Sequence, residues 1–212
     1  MRTKLKLSRS FLIAASLTLT ALGSTMAVRP LVAAEAPAVE DFTAAASQQM
    51  DSLIKTGQAI IANLASSTAD KTNLLGKMIL DNFDINAVGR FLLGPNWRAA
   101  TEAEKAELIT LIQTITVNAY SARLNDYALY KFVNRGAQMD GKSVLVFYEV
   151  IRPNNPTPIN LQWRMIKSAD GPKVVDAIVE GISLGVTQQQ DFSSIIASKG
   201  KGVQGLLEEL RA

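Results

Sequence analysis

Residues 143–167 read SVLVFYEVIRPNNPTPINLQWRMIK, and this stretch decides the fold. Apolar and polar side chains alternate over Pro158–Lys167, which predicts a β-strand with one buried face. Over Ser143–Arg152 both sets of alternate positions are apolar, a pattern typical of a central strand that is covered on both faces. The intervening residues 154–156, Asn-Asn-Pro, favour a turn. The two strands should therefore form an antiparallel hairpin.

Apolar residues also recur at every second position in the segments on both sides of this hairpin. Tyr130–Gln138 and Lys173–Ile182 are the predicted first and last strands. Asp-Gly pairs at residues 140–141 and 170–171 supply the turns that connect them to the central hairpin. Because consecutive strands are joined by short turns, the sequence predicts a four-stranded antiparallel meander.

The rest of the chain has apolar residues at helical spacing. Asp84 can cap one helix, and Thr101 with Glu104 forms a capping-box pattern before another. A block of strands between two groups of helices indicates a single domain of the α+β class. The predicted helices are Pro37–Ser67, Asn73–Phe83, Ile85–Leu93, Glu102–Asp126, Gln188–Ser198 and Val203–Arg211.

The N-terminal residues 1–34 have the order of a secretory signal peptide. Four positive charges precede an apolar run over Phe11–Leu22, and small residues follow it. At about 1.5 Å per residue this run is too short to cross a hydrocarbon core of about 30 Å. We expect cleavage after Ala27 or Ala34, with Ala34 favoured, which leaves residues 35–212 as one mature domain exported to the periplasm.

Removal of the signal peptide changes the sign of the net charge. The whole chain has 22 Lys and Arg against 19 Asp and Glu, a formal charge of +3. Five of the cations and none of the acids lie in residues 1–34, so residues 35–212 carry 17 cations against 19 acids, or −2. The basic character belongs to the export signal and does not indicate nucleic-acid binding.

The chain contains no cysteine and no histidine. This excludes disulfides, thiol nucleophiles, Cys/His zinc sites and the catalytic triads that use histidine as base. An enzyme would have to rely on carboxylates, and Glu149, Asp176 and Glu180 lie in predicted strands. The favoured interpretation places Asp176 and Glu180 on the solvent face of an outer strand, so we expect no catalytic activity.

The apolar face of the predicted sheet has two possible uses. It can pack directly against helices, or it can stand away from them and enclose a cavity. The residues alone favour the packed core. Aromatic side chains near helix ends (Phe91, Trp97, Tyr120 and Tyr127) suit either ordinary packing or the rim of a pocket mouth.

Several motifs follow one another in a fixed order. They are NFDINAVGR (82–90), LGPNWRAAT (93–101), Tyr120 with Leu124 and Tyr127, VVDAIVEGISL (174–184), and Phe192, Gly202 and Gly205. The match of which they are part runs from about residue 40 to about residue 210, nearly the whole of the predicted mature chain. This series resembles the periplasmic phospholipid-shuttle family of the Mla pathway, which is also called the toluene-tolerance auxiliary component of an ABC transporter.

The resemblance implies a sheet with N- and C-terminal helices around a deep apolar pocket that takes acyl chains. It implies a periplasmic carrier without catalytic residues or cofactors, which passes phospholipid between an outer-membrane lipoprotein complex and an inner-membrane ABC transporter complex with a lipid-binding domain. A carrier of hopanoids or other lipids, and a non-catalytic periplasmic interaction module with a filled core, are the alternatives.

Candidate site residues follow from this resemblance. Arg90, Arg98 and Arg123 are candidates to contact a headgroup phosphate, although a surface ion pair is the favoured explanation for each. The candidates for the pocket lining are Val144, Val146, Tyr148, Val150, Leu161, Trp163 and Met165 from strands, with Phe91, Leu92 and Tyr120 from helices.

Overall fold

In a computed structural model of the chain, the central element is an antiparallel sheet of five strands. Each strand pairs with the next one in the chain, so the predicted meander is confirmed. The strands are β1 (Lys131–Asp140), β2 (Ser143–Arg152), β3 (Asn155–Ser168), β4 (Gly171–Val179) and β5 (Ile182–Ser183).

The structure describes residues 36–121 and 127–211, and it describes side chains within 41–119, 127–155 and 157–211. The predicted signal peptide and both expected cleavage positions lie outside the described residues. The described ranges belong to one compact unit.

Helices precede and follow the sheet, and the predicted α+β class is confirmed. A 3-10 turn, Gly94–Arg98, connects the third helix to the fourth. The helices are α1 (Ala36–Ala62), α2 (Thr68–Asn82), α3 (Ile85–Leu93), α4 (Glu102–Ser121), α5 (Leu184–Lys199) and α6 (Val203–Arg211).

Two predicted helix starts are confirmed by their caps. The backbone N–H of Ala87 donates to Oδ1 of Asp84 over 2.8 Å. Thr101 and Glu104 form the reciprocal hydrogen bonds of a capping box at the start of α4.

A third helix start, that of α2, was placed too late by the prediction. The helix begins at Thr68 and not at Asn73, because Ser67 and Asp70 form a second capping box. Asp70 N–H donates to Ser67 Oγ over 3.1 Å, and Ser67 N–H donates to Asp70 Oδ2 over 3.3 Å. Ser67 and Asp70, which both lie outside the predicted second helix, therefore form its N-terminal cap.

The predicted last strand is divided into two, which corrects the expected number of strands from four to five. Glu180 and Gly181 have φ values of 50° and 80°, and two consecutive left-handed residues reverse the chain. β5 then folds back on β4, with Ile182 opposite Val179.

The helix after β5 also begins earlier than predicted, at Leu184 and not at Gln188. Ser183 is the N-cap, and its Oγ accepts a hydrogen bond from Val186 N–H over 2.9 Å. The serine that ends the last strand therefore begins the helix.

Apolar packing is divided between two main clusters, and Phe83 packs against both. We call the first the helical cluster; its buried members are Ile85, Leu92, Leu93, Ala100, Leu108, Ile112, Phe192, Val203, Leu206 and Leu207. We call the second the sheet cluster; its buried members are Ala46 and Met50 from α1 and Val144, Val146, Tyr148, Trp163, Met165 and Val174 from the sheet.

Substitution of Leu108 by alanine should destabilise the domain strongly. The side chain is completely buried in the helical cluster, so truncation removes apolar contacts and leaves a cavity. We expect the free energy of unfolding to fall by about 2–5 kcal/mol. Urea denaturation followed by far-UV circular dichroism measures this loss. The matched control is Leu64→Ala, because Leu64 is 96% exposed and its truncation should change stability little. Equal losses in both variants would contradict this assignment of the core.

Candidate functional site

The face of the sheet that points toward α1 is a continuous apolar surface, which we call the inner face. The strand register aligns its residues, because Val144 lies opposite Met165 and Val146 lies opposite Trp163. Trp163 in turn lies opposite Ala177 of β4. Val144, Val146 and Met165 are completely buried. The inner face therefore extends across at least three adjacent strands.

Helix α1 covers the inner face directly. Ala46 is completely buried and Met50 is nearly so, and both belong to the sheet cluster. Phe42, Leu53 and Ile54 from the same helix pack against that cluster while remaining partly exposed. In this structure the side chains of α1 therefore occupy the space above the sheet.

A small polar network ties α1 to the first two strands. The Tyr148 hydroxyl donates to Asp51 Oδ1 over 2.6 Å, and Nδ2 of Asn134 donates to the same oxygen over 3.0 Å. Nδ2 of Asn134 also lies 3.1 Å from Ser47 Oγ. Burial and the hydrogen bond to the Asp51 carboxylate raise the pKa of Tyr148 far above its ordinary value. The phenol therefore remains a hydrogen-bond donor.

Two glutamines tie α1 to the chain at other points. Nε2 of Gln49 donates to the carbonyl of Pro172 over 2.8 Å and to Oδ1 of Asn82 over 3.0 Å. Nε2 of Gln58 donates to the carbonyl of Tyr130 over 3.0 Å. These are neutral hydrogen bonds of the kind that water replaces at modest cost.

Trp163 leaves one polar atom unpaired within the apolar surroundings of the inner face. Its Nε1 is buried and has no hydrogen-bond partner among the described residues. The ring of Phe83 lies edge-on to the indole, with centroids 6.2 Å apart and planes at 81°. An acceptor placed beside this N–H would satisfy a donor that the protein leaves free.

The structure brings the seven strand residues of the candidate lining together on the inner face but does not bring all the helical candidates there. Leu92 is buried in the helical cluster. Phe91 is 44% exposed on the surface of α3. The side chain of Tyr120 lies outside the described residues. The seven are Val144, Val146, Tyr148, Val150, Leu161, Trp163 and Met165.

The described candidate arginines lie on α3 and the following 3-10 turn and not on the inner face. Arg90 is exposed, and its guanidinium lies 5.6 Å from the centre of the Trp97 ring. Lys105 approaches the same ring to 5.4 Å. Among the described residues, neither Arg90 nor Arg98 forms an ion pair, and Arg123 lies outside them.

Each carboxylate considered for catalysis has a structural partner. Glu149 pairs with Arg135 over 2.6 Å. Glu180 accepts a hydrogen bond from the backbone N–H of Asn160 over 2.6 Å. Asp176 accepts hydrogen bonds from Ser183 Oγ at the end of β5 and from the backbone N–H of Gly185 in the first turn of α5. Within the described ranges, no three Asp or Glu side chains gather as a metal site would need.

Two concavities border these elements. One, of about 510 Å³, lies along β1, β2 and β3 and is bordered by Gln138, Phe147 and Gln162 of the outer face and also by Tyr148 and Leu161. The other, of about 430 Å³, is a groove between α1 and α2. Leu53 lines this groove and also packs against the sheet cluster, so the groove reaches the edge of the inner face.

Comparison with known proteins identifies a matching family and a solved structure of the same fold. The family model described as MlaC protein matches residues 45–212. Among solved structures, a phospholipid-binding protein from Ralstonia solanacearum, in complex with a phospholipid, has 22% sequence identity and a TM-score of 0.66. The match covers 80% of this chain and 94% of that chain. The two proteins share the same α+β architecture.

Removal of the Tyr148 hydroxyl should weaken the attachment of α1. In Tyr148→Phe, the partly buried Asp51 carboxylate loses a donor, and we expect the free energy of unfolding at neutral pH to fall by about 1.5–3 kcal/mol. Urea denaturation measures the loss. An unchanged free energy of unfolding would show that the network does not stabilise the domain.

The same variant should change the response to alkaline pH. Because the pKa of Tyr148 is raised on folding, the unfolded chain releases this proton near pH 10 while the folded protein retains it. The stabilisation is therefore complete below pH 10 and is lost as the pH rises above it. Between about pH 8 and about pH 11 the wild type should lose more stability than Tyr148→Phe. Equal losses of stability in the wild type and in Tyr148→Phe would contradict the raised pKa of Tyr148.

Proposed function

Because this chain belongs to the MlaC protein family, we propose that it is a periplasmic carrier that binds a phospholipid and shuttles it between the two membranes. The resemblance to the Mla phospholipid-shuttle family is confirmed by that match, which covers residues 45–212. The family consists of binding and transport proteins of the periplasm, so we infer that this chain acts by holding a ligand and not by changing its bonds.

The observation that carries the proposal is the inner face. An apolar surface that spans neighbouring strands is suited to extended hydrocarbon chains, since burial of acyl methylenes is favourable and has no directional requirement. The fold relative from Ralstonia solanacearum has the same architecture and contains a phospholipid. We therefore assign the acyl chains of the ligand to the inner face.

The unpaired N–H of Trp163 supports the same assignment. A buried donor without a partner costs about 1–3 kcal/mol. A phospholipid carries ester carbonyls where its acyl chains begin, and such an oxygen is a suitable acceptor. We infer that an ester carbonyl accepts a hydrogen bond from Nε1 of Trp163 when lipid is bound.

Loading requires that α1 moves. Ala46 and Met50 occupy the space that acyl chains would need, so lipid and helix compete for one surface. The hydrogen bonds that hold the helix to the sheet are few. The neutral ones contribute about 0.5–1.5 kcal/mol each, and those to the Asp51 carboxylate about 1.5–3 kcal/mol each. The groove between α1 and α2 is the proposed point of entry, because Leu53 connects it to the sheet cluster.

This competition suits a carrier. Burial of about 30 methylenes is worth roughly 24 kcal/mol at about 0.8 kcal/mol each, and a membrane offers the lipid a similar gain. A carrier that bound much more tightly than the membrane would not release its cargo. Because α1 covers the inner face again on release, part of the favourable burial is retained in the empty protein, and the net affinity is lowered.

The route between the membranes follows from the family and remains a proposal for this chain. We propose that residues 1–34 direct export and that the partners are an outer-membrane lipoprotein complex and an inner-membrane ABC transporter complex with a lipid-binding domain. Among the described residues, no helix is both long enough and apolar enough to cross a membrane.

A non-catalytic interaction module is the second candidate function. The observation that favours it is the direct contact between α1 and the sheet, which resembles an ordinary filled core. A carrier of hopanoids or other lipids is the alternative within the same fold. Identification of the bound molecule distinguishes all three.

The proposal predicts that the purified mature domain contains lipid and that Leu161→Asp loses it. Leu161 is a partly buried residue of the inner face, where a carboxylate would face acyl chains. We expect the molar ratio of extracted phospholipid to protein to fall several-fold. Organic extraction with mass spectrometry measures the ratio, and uptake from labelled liposomes provides an independent test.

The matched control is Gln162→Asp, because consecutive strand side chains alternate and Gln162, opposite Phe147, points to the outer face of the sheet. This variant should retain wild-type lipid content. Absence of lipid from the wild type, together with no uptake from liposomes, would overturn the carrier proposal and leave the interaction module. Wild-type occupancy in a folded Leu161→Asp variant would remove the inner face from the site.

A further inference from the structure

Four large apolar side chains are exposed together where α3 meets the start of α5. Phe91 on α3 is 44% exposed, and Ile182, Leu184 and Val186 are 62%, 51% and 43% exposed. The last three belong to the segment that contains β5 and the first turn of α5. We call these four residues the apolar patch.

A close contact at Gly185 joins the two parts of the patch. A Cβ atom on Gly185 would lie 3.3 Å from Cε1 of Phe91 and 3.0 Å from Oδ1 of Asp176. The Phe91 ring therefore packs against the helix start between Leu184 and Val186. A side chain at position 185 would push this ring away.

Hydrogen bonds fix the segment that presents the patch. Oδ1 of Asp176 accepts from Gly185 N–H over 2.9 Å, and Oδ2 of the same carboxylate accepts from Ser183 Oγ over 2.6 Å. The left-handed turn at Glu180 and Gly181 positions Ile182 opposite Val179. The exposed side chains are thus held on an ordered scaffold and not on a loose loop.

The patch has no evident role within the described fold. None of its four residues belongs to the buried members of the helical or sheet cluster. Single exposed apolar residues are common, but several together mark a surface that another molecule covers. A rigid presentation favours binding because little conformational entropy is lost when the partner docks.

A cation lies beside the patch. Arg90 precedes Phe91 in the chain and lies over the Trp97 ring, and among the described residues it forms no ion pair. Aromatic residues and arginine are the side chains most enriched at the centres of protein interfaces. An arginine without a counter-ion at the edge of an apolar surface is complementary to a carboxylate on the partner.

A protein surface fits this patch better than a lipid bilayer does. Stable attachment to an anionic membrane uses several basic residues together with an apolar face. Residues 35–212 carry 17 Lys and Arg against 19 Asp and Glu, so the domain as a whole is not attracted to anionic lipid.

We propose that the apolar patch is a docking surface for a protein partner whose contact surface is apolar at its centre and acidic at its edge beside Arg90. The inference rests on the proposed function, because a carrier must dock where it receives or delivers lipid. The scaffold of the patch includes Asp176 of β4, and its neighbour Ala177 packs against the sheet cluster from the opposite face of the same strand.

The test is a binding measurement on the mature chain with two purified probes, the lipid-binding periplasmic domain of the inner-membrane transporter and the outer-membrane lipoprotein complex. The variant is the double substitution Ile182→Glu with Val186→Glu, which introduces negative charge into the patch. We expect the dissociation constant for at least one probe to rise by about 10-fold or more. Leu64→Glu is the matched control, because Leu64 is exposed on the α1–α2 connection and should leave binding unchanged.

Lipid content, measured by extraction, separates this inference from the proposed function. Both glutamate variants should retain wild-type lipid content, since the substituted residues lie outside the inner face. Wild-type affinity in the double variant, or binding of the wild type to neither probe, would overturn the docking surface even if the protein carries lipid. Selective loss of binding to anionic vesicles would identify a membrane as the occupant instead, and loss of self-association would identify a second copy of the chain.

Discussion

The structure depends on one requirement: the apolar inner face of the sheet must be covered. Val146, Trp163 and Met165 lie side by side across adjacent strands and exclude water only while something packs on them. In this structure α1 provides that cover through Ala46 and Met50. Acyl chains can provide it equally well, since the hydrophobic effect does not distinguish a methionine side chain from a lipid chain of similar area. In the proposed carrier function, α1 and the acyl chains of the lipid cover the inner face in turn.

The division of the core makes such an exchange possible without unfolding. Leu108, Leu206 and Leu207 are completely buried in the helical cluster, which contains no residue of α1 among its buried members. The sheet itself is held by backbone pairing between consecutive strands. Movement of α1 would therefore open the inner face while the helical cluster and the sheet stay intact. The hydrogen bonds of Asp51 and Gln49 orient the helix and contribute a few kcal/mol, which is small beside the gain from burying acyl chains, so they direct closure without preventing opening.

Much of this arrangement follows from the sequence, for local reasons. The spacing of apolar residues changes from about 3.6 to two residues, which locates the sheet, and the alternation around Trp163 identifies its apolar face. The fifth strand was missed because it depends on positive φ at Glu180, a backbone state that the residue type does not signal. The spacing of apolar residues also does not predict which helical residues meet in the folded domain. Phe91 and Leu92 are consecutive residues of α3. Only tertiary packing decides that Leu92 is buried among helices while Phe91 is exposed.

The most direct test of the central claim is the distance between α1 and the sheet with and without lipid. The chain has no cysteine, so spin labels can be placed on cysteines substituted for Gln48 of α1 and Gln138 of β1, which are both exposed. Pulsed electron–electron double resonance then measures the distance between the two labels in delipidated protein and in protein loaded with one phospholipid. We expect the distance distribution to shift to longer values on loading, because acyl chains displace α1 from the inner face. An unchanged distribution in protein with confirmed lipid occupancy would contradict the account.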